Sequence, residues 1–249
     1  MRAMSFGAVA DEYDRLRPDP APEAVDWLLP DRRDQVVDLA AGTGKLTRAL
    51  ALRSGRVLAV EPDRRMGTVL RTSSPAIRVV AGLGEAIPVR DDSADGLFIS
   101  SAWHWMDPPR AVPEIARVLR DGGRFGLIWT SRDREFGWIR EIDSLREPDR
   151  DAGRAAMNSS RLRNREITLP DPSPFTDIET ASFTYTRTMK ADDLVEMIGT
   201  YSRVITASEE DKARTLASVR AELDARFPGA AEIEVPIRSL CWRATRLPR

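Results

Sequence analysis

The stretch Asp38-Leu39-Ala40-Ala41-Gly42-Thr43-Gly44 sets an acid and then small residues at every second position: Asp38, Ala40, Gly42 and Gly44. It links an apolar, strand-like run at 36–40 to a helix-like run at 46–52, the place where a doubly wound sheet receives a nucleotide ligand. A P-loop requires Ser or Thr after its Gly-Lys pair, but Leu46 follows Gly44-Lys45, and the first glycine of that motif falls on Leu39. A dinucleotide fingerprint begun at Gly42 and Gly44 ends on Thr47, too large for close helix packing. The remaining reading is a backbone that lies against a ligand without a pyrophosphate, with the Asp38 carboxylate facing a charged amino group. A second strand-like run, 56–60, ends in Glu61, close to the offset of an acid that accepts both ribose hydroxyls. A structural turn uses the same glycines, and a lone Glu at a strand end can simply be solvated; loop and acid together favour the ligand.

Groups for acid–base work are few. His104 is the one histidine and falls just after the fourth strand-like run, where it is a candidate base, an orienting group or part of a wall. Four of the six tryptophans and a phenylalanine cluster in the same span, Trp103, Trp105, Trp129, Phe136 and Trp138; their faces suit a flat or cationic ligand, while Trp129 and Trp138 serve equally as core. Arg132 is placed to pair with a carboxylate, or to sit solvated on the surface. Cys241 is alone, which excludes an internal disulfide and a Cys-rich zinc site, and one histidine leaves no metal-ligand set. A formal charge of -1 with both signs interleaved offers no basic stripe for nucleic acid and no polybasic patch for a membrane surface. The N-terminus has no signal-type apolar run and no stretch is apolar for long enough to span a bilayer, so a cytoplasmic location is expected.

The elements that must position these groups follow from hydrophobic periodicity. Strand-like runs at 36–40, 56–60, 77–81, 96–100 and 124–129 alternate with helix-like stretches at 46–52, near 66–70, and at 111–119, the last ended by Asp121-Gly122-Gly123. Strands at 178–186 and 232–245 flank helices at 191–199 and 209–227. The rhythm predicts an α/β, doubly wound, Rossmann-like sheet of seven strands, mostly parallel, with an antiparallel edge hairpin and a helical cap. One domain, 1–249, is expected, comprising a helical lid at 1–29, a cofactor-binding half at 30–130, a cap insertion at 131–168 and a completing segment at 169–249.

These features resemble a family. Phe6-x-x-x-Ala10-x-x-Tyr13 with Arg17-Pro18, the Asp38 to Gly44 loop, Val60-Glu61-Pro62-Asp63 with Met66, Gly82-x-x-Glu85-Ala86-Ile87-Pro88, and His104-Trp105 followed by Leu119-Arg120-Asp121-Gly122-Gly123 are similar to the class I S-adenosylmethionine-dependent methyltransferases, small-molecule type 11 group. The resemblance implies S-adenosylmethionine as cofactor, S-adenosylhomocysteine as product and a small-molecule methyl acceptor as partner, with no nucleic acid or membrane, in a monomer or homodimer. It implies that Gly42 and Gly44 face the methionine part, Glu61 with Pro62 the ribose, Met66 the adenine face, and Gly84 and Glu85 the adenine edge, with Arg17, Asp38, Ala40 and Ser100 completing the cofactor site. Leu83 stands where the family often carries a polar residue, which removes one contact to the adenine amino group. Tyr13 and Tyr201 close the site from above, Tyr13 with His104 as catalytic candidates; Phe6, Trp103, Trp105, Trp129, Arg132, Phe136, Trp138 and Tyr201 are the substrate-side candidates. The leading expectation is methylation of a small apolar or aromatic metabolite, such as an indole-like ring carbon in natural-product biosynthesis; carboxyl O-methylation of a small acid is the alternative. A nicotinamide-dependent oxidoreductase and a non-catalytic S-adenosylmethionine-binding module lie further off.

Overall fold

The computed structural model describes residues 6–145, 167 and 169–248, without the Phe6 side chain. Five strands, β1 (Gln35–Leu39), β2 (Arg56–Val60), β3 (Arg78–Val80), β4 (Ala94–Ser100) and β5 (Leu119–Arg132), pair in parallel. Two late strands, β6 (Phe175–Met189) and β7 (Ile233–Arg246), complete one sheet in the order β3-β2-β1-β4-β5-β7-β6, with β7 antiparallel to both neighbours. The expected seven-stranded, mostly parallel sheet with an antiparallel edge is therefore present. The order of strand addition reverses between β1 and β4, which opens a crevice beyond their carboxyl ends.

Central strands are apolar because helices cover both faces. On one face Val37, Leu39, Leu97, Ile99, Phe125 and Leu127 pack with Ala111 and Ile115 of α5 (Pro108–Val118). On the other, Val36, Phe98 and Ile128 meet α2 (Pro22–Leu28) and α3 (Lys45–Ala51) through Val25, Leu28, Leu46 and Leu50. Cys241 lies in β7, 4% exposed, and burial pushes its thiol up to about 12. The remaining helices are α1 (Ala10–Leu16), α4 (Arg64–Ser73), α6 (Gly137–Ser144), α7 (Ala191–Gly199), α8 (Ser202–Ile205) and α9 (Glu209–Arg226). A separate apolar cluster joins Leu16 of α1 to α6, α7, α9 and the start of β7. Among the described residues no helix is long and apolar enough to cross a membrane.

Two local expectations are corrected. Leu119, expected at the end of a helix, begins β5 and pairs with Ala94, because α5 stops at Val118. Asp121-Gly122-Gly123 does not cap that helix; it bulges out of β5, Gly122 taking φ 73° before pairing resumes at Gly96 with Arg124. β5 also runs on to Arg132, paired with Ile237, so its last two residues lie inside the stretch expected as cap. Of that stretch the strand end and α6 are visible, and 146–166 and 168 lie outside the described residues.

Candidate active site

The glycine loop shows why small residues recur at every second position. Ala40, Gly42 and Gly44 all have positive φ, at 57°, 59° and 92°. Glycine takes this conformation freely, and a Cβ raises its cost by about 1 kcal/mol, so Ala40 holds mild strain. The two glycines differ in what they face. A Cβ on Gly44 would stand 2.2 Å from Leu70 Cδ1, so this glycine lets α3 approach α4. A Cβ on Gly42 would meet only the Met66 methyl, at 3.5 Å, and room remains in front of it.

Glu61, at the end of β2, is 8% exposed and clamps the loop. Its Oε2 accepts the Gly42 N–H at 2.7 Å and its Oε1 the Asp63 N–H at 2.7 Å. Each oxygen keeps a second lone pair for a hydroxyl. Burial raises the Glu61 pKa against the pull of these two bonds. Asp38 is fully buried at the end of β1; its Oδ2 accepts the Thr47 hydroxyl, and among the described residues its Oδ1 has no hydrogen-bond partner. Burial lifts its pKa to about 7, helped by Glu61 and opposed by Thr47. Thr47, read from sequence only as an obstacle to a dinucleotide, thus holds the acid. The signal was a hydroxyl one turn into α3, placed to reach back to the strand end.

Met66 is 6% exposed and lies over Gly42, behind an α4 start where Asp63 caps Arg65 N–H at 2.9 Å. Pro62 is half-buried between them. Gly84 is buried against Met106, whose sulfur would stand 2.7 Å from an added Cβ, and Glu85 Oε1 accepts the Asp107 N–H at 2.8 Å, tying this loop to the start of α5. Leu83 is 55% exposed. Ser100 closes β4, followed by Ser101 at φ 55°.

The N-terminal segment is held by charge. Asp14 of α1 pairs with Arg48 at 2.7 Å, while Arg48 also donates to the Thr43 carbonyl of the glycine loop at 2.9 Å. Arg15 reaches Asp193 and Glu196 of α7, and Arg187 donates to the Leu16 carbonyl at 2.6 Å. Just beyond α1, Arg17 donates to Thr200 Oγ1 and to its carbonyl, at 2.9 and 3.0 Å, and stacks on two phenols: its guanidinium carbon is 5.0 Å from the Tyr13 centroid and 3.6 Å from that of Tyr201. Arg132, at the end of β5, stands 5.2 Å from the same Tyr201 ring and is 3% exposed, its guanidinium donating to Asp143 of α6. Tyr13, Arg17, Tyr201 and Arg132 therefore gather into one cluster; Asp143 and Thr200 were not anticipated, since each is joined to it only through the tertiary fold.

The aromatic residues divide. Trp103 is 8% exposed and packs in the main core, 5.6 Å from Phe125, with Trp129 in the same cluster. Trp138 meets Phe227 edge-on at 5.4 Å. Trp105 and Phe136 are exposed, and His104, also exposed, lies 4.5 Å from the Trp105 ring. The Phe6 side chain lies outside the described residues.

Residues 37–127 match the methyltransferase domain family. The chain is 40% identical over 246 residues to an uncharacterized methyltransferase of Mycobacterium tuberculosis, covering 98% of this chain and 96% of that one. It belongs to the type 11 S-adenosylmethionine-dependent methyltransferases. A malonyl-[acyl-carrier protein] O-methyltransferase of Methylococcus capsulatus is 35% identical over 136 residues, 50% of this chain and 49% of that protein. In fold the enzyme is similar to a type II methyltransferase structure from Anaeromyxobacter dehalogenans, with a TM-score of 0.67, 24% identity and coverage of 94% and 99%. The crevice of this methyltransferase fits S-adenosylmethionine, which carries an ammonium, a ribose diol and a sulfonium. It offers a buried carboxylate oxygen without a partner at Asp38, spare lone pairs on Glu61, and open space before Gly42.

Proposed function

We propose that this methyltransferase esterifies a small organic acid, placing the methyl on a carboxylate oxygen of an acceptor received between the N-terminal lid and the ends of β4 and β5. The observation that carries the reading is the side-chain set gathered there: two guanidiniums, Arg17 and Arg132, around the Tyr201 ring, with Tyr13 beside them. Such a set suits an acceptor that arrives anionic, and a carboxylate is nucleophilic without a base. His104 is exposed against Trp105 and has no proton to remove in this reading. Glu61 would hold the ribose hydroxyls and Asp38 the ammonium of the cofactor, with Met66 over Gly42 shaping its wall. When bound, S-adenosylmethionine supplies an electrophilic sulfonium methyl whose displacement leaves the bond pair on sulfur. The protein's tasks are alignment and exclusion of water, for which α1, latched through Arg15 and Arg48, is suitably placed.

Likeness over half the chain to a malonyl-[acyl-carrier protein] O-methyltransferase supports carboxyl chemistry. Methylation of an indole-like carbon would use open aromatic walls, whereas Trp103 and Trp129 are enclosed in the main core. The test is to incubate the enzyme with methyl-labelled cofactor and a panel of small carboxylic acids, then treat the products with mild alkali. Label released as methanol is the expected result; label that survives alkali on carbon or nitrogen would refute esterification.

A further inference from the structure

Resting on that reading, we infer that Arg132 is a built-in anion subsite, a buried guanidinium that receives a carboxylate of the acceptor. Arg132 is 3% exposed, and only its Nη2 is matched to an anion, Asp143 Oδ1. Among the described residues neither Nε nor Nη1 has a hydrogen-bond partner. Asp143 does not serve Arg132 alone, since Arg134 donates to its other oxygen at 2.6 Å. Arg17, across the Tyr201 ring, directs its hydrogen bonds to the hydroxyl and carbonyl of Thr200, both uncharged. A guanidinium removed from water with two donors idle is strongly unfavourable unless something takes those donors.

Position points to a ligand. Ser100 ends β4 opposite Ile128, and β5 carries Arg132 four residues further along the same carboxyl edge that bears the glycine loop and Glu61. The Tyr201 ring centroid is 3.6 Å from the Arg17 guanidinium carbon and 5.2 Å from that of Arg132, so an anion reaching the idle Arg132 donors would meet them out of water, where charge-assisted bonds are strong. A carboxylate fits because its oxygens can accept from Nε and Nη1 while Nη2 stays with Asp143.

The experiment titrates acetate, benzoate and malonate into the full-length enzyme loaded with S-adenosylhomocysteine, with benzamide as neutral isostere and inorganic phosphate as a second anion. Carboxylates should bind and benzamide should not. Arg132→Met should weaken carboxylate binding roughly ten- to hundredfold, with Arg132→Lys between, while affinity for S-adenosylhomocysteine is unchanged. Thermal unfolding checks that the variant folds: Arg132→Met removes one partner of the nearly buried Asp143, whose other oxygen keeps Arg134, so a cooperative transition should remain even if its midpoint falls. The inference is overturned if no carboxylate binds, if phosphate alone binds, or if Arg132→Met retains carboxylate affinity. Loss of S-adenosylhomocysteine binding by the parent would instead count against the cofactor site. Alkali-stable methyl transfer with carboxylate binding intact would count against esterification and leave the subsite standing.

Discussion

Beside the glycine loop the buried charges are the carboxylates Asp38 and Glu61; around the Tyr201 ring, the proposed acceptor side, stand two guanidiniums, the half-buried Arg17 and the buried Arg132. Asp38 has an oxygen without a partner and Arg132 two nitrogens without partners. In the proposed reading each side would receive from its ligand a charge opposite to its own idle groups, and binding would stabilise the fold. They differ in construction. The carboxylates stand at adjacent strand ends and are tied to local backbone or α3, whereas the guanidiniums are held by α1, α6 and the α7–α8 turn, elements far apart in sequence. The carboxylates are thus placed by local geometry, and the guanidiniums by the docking of distant elements.

The largest effect expected from this contrast is the pH response of Asp38. Its pKa is raised from 3.8 to about 7, so between these values the folded protein holds a proton that the unfolded chain has lost. Stability of the unliganded enzyme should fall as pH rises through that window and level off above it, by about 4 kcal/mol at most. Unfolding titrations of the parent and of Asp38→Asn check this, since the variant should lose the slope; an unchanged slope would move the titration to Glu61. S-adenosylhomocysteine affinity should rise with pH over the same window, as Asp38 becomes free to meet the ammonium.

The next effect separates two glycines that look equivalent in the chain. Gly44→Ala meets Leu70 Cδ1 at 2.2 Å with φ 92° and should destabilise by about 3 kcal/mol. Gly42→Ala has 3.5 Å of clearance and should lose about 1 kcal/mol of stability while weakening S-adenosylhomocysteine binding. Equal stability losses would mean that the loop does not divide between packing and ligand. Glu61→Ala should reduce S-adenosylhomocysteine affinity roughly ten- to hundredfold through lost ribose acceptors, and isothermal titration of benzoate alongside shows whether the acceptor half is disturbed. The smallest change is expected for Arg15→Ala. Its ion pairs to Asp193 and Glu196 are exposed, so the unfolding midpoint should scarcely move and salt should erase the difference.

Much of the fold was legible because period-2 and period-3.6 patterns survive in the residues themselves. The helix at 191–199 and the strand at 56–60 have the ends that periodicity indicated, and β7 lies within one residue at each end. Asp121-Gly122-Gly123 misled because turn chemistry does not state which element it interrupts; pairing of Leu119 with Ala94 makes it a bulge within β5. In the candidate site, Asp38, Gly42 and Glu61 could be grouped from sequence because one strand and its loop, and the next strand's end, carry them, while Met66 of α4 came in only through the family resemblance. Trp103, expected as a pocket wall, and Trp129, read equally as wall or core, lie buried in the cluster that Phe125, α5 and the late strands form, and their burial depends on elements distant in sequence.

What the sequence determined by itself was the class of protein and its cofactor chemistry: an acid, three residues able to take positive φ, and a second acid at the next strand end encode a nucleotide-type crevice locally. Which glycine packs and which leaves room, that Asp38 keeps an idle oxygen, and that Arg132 is buried with idle donors beside Tyr201 were decided only by the tertiary structure. Burial and partnership belong to pairs of residues brought together from opposite ends of the chain, as Arg17 is with Thr200, and no single stretch of sequence carries that information.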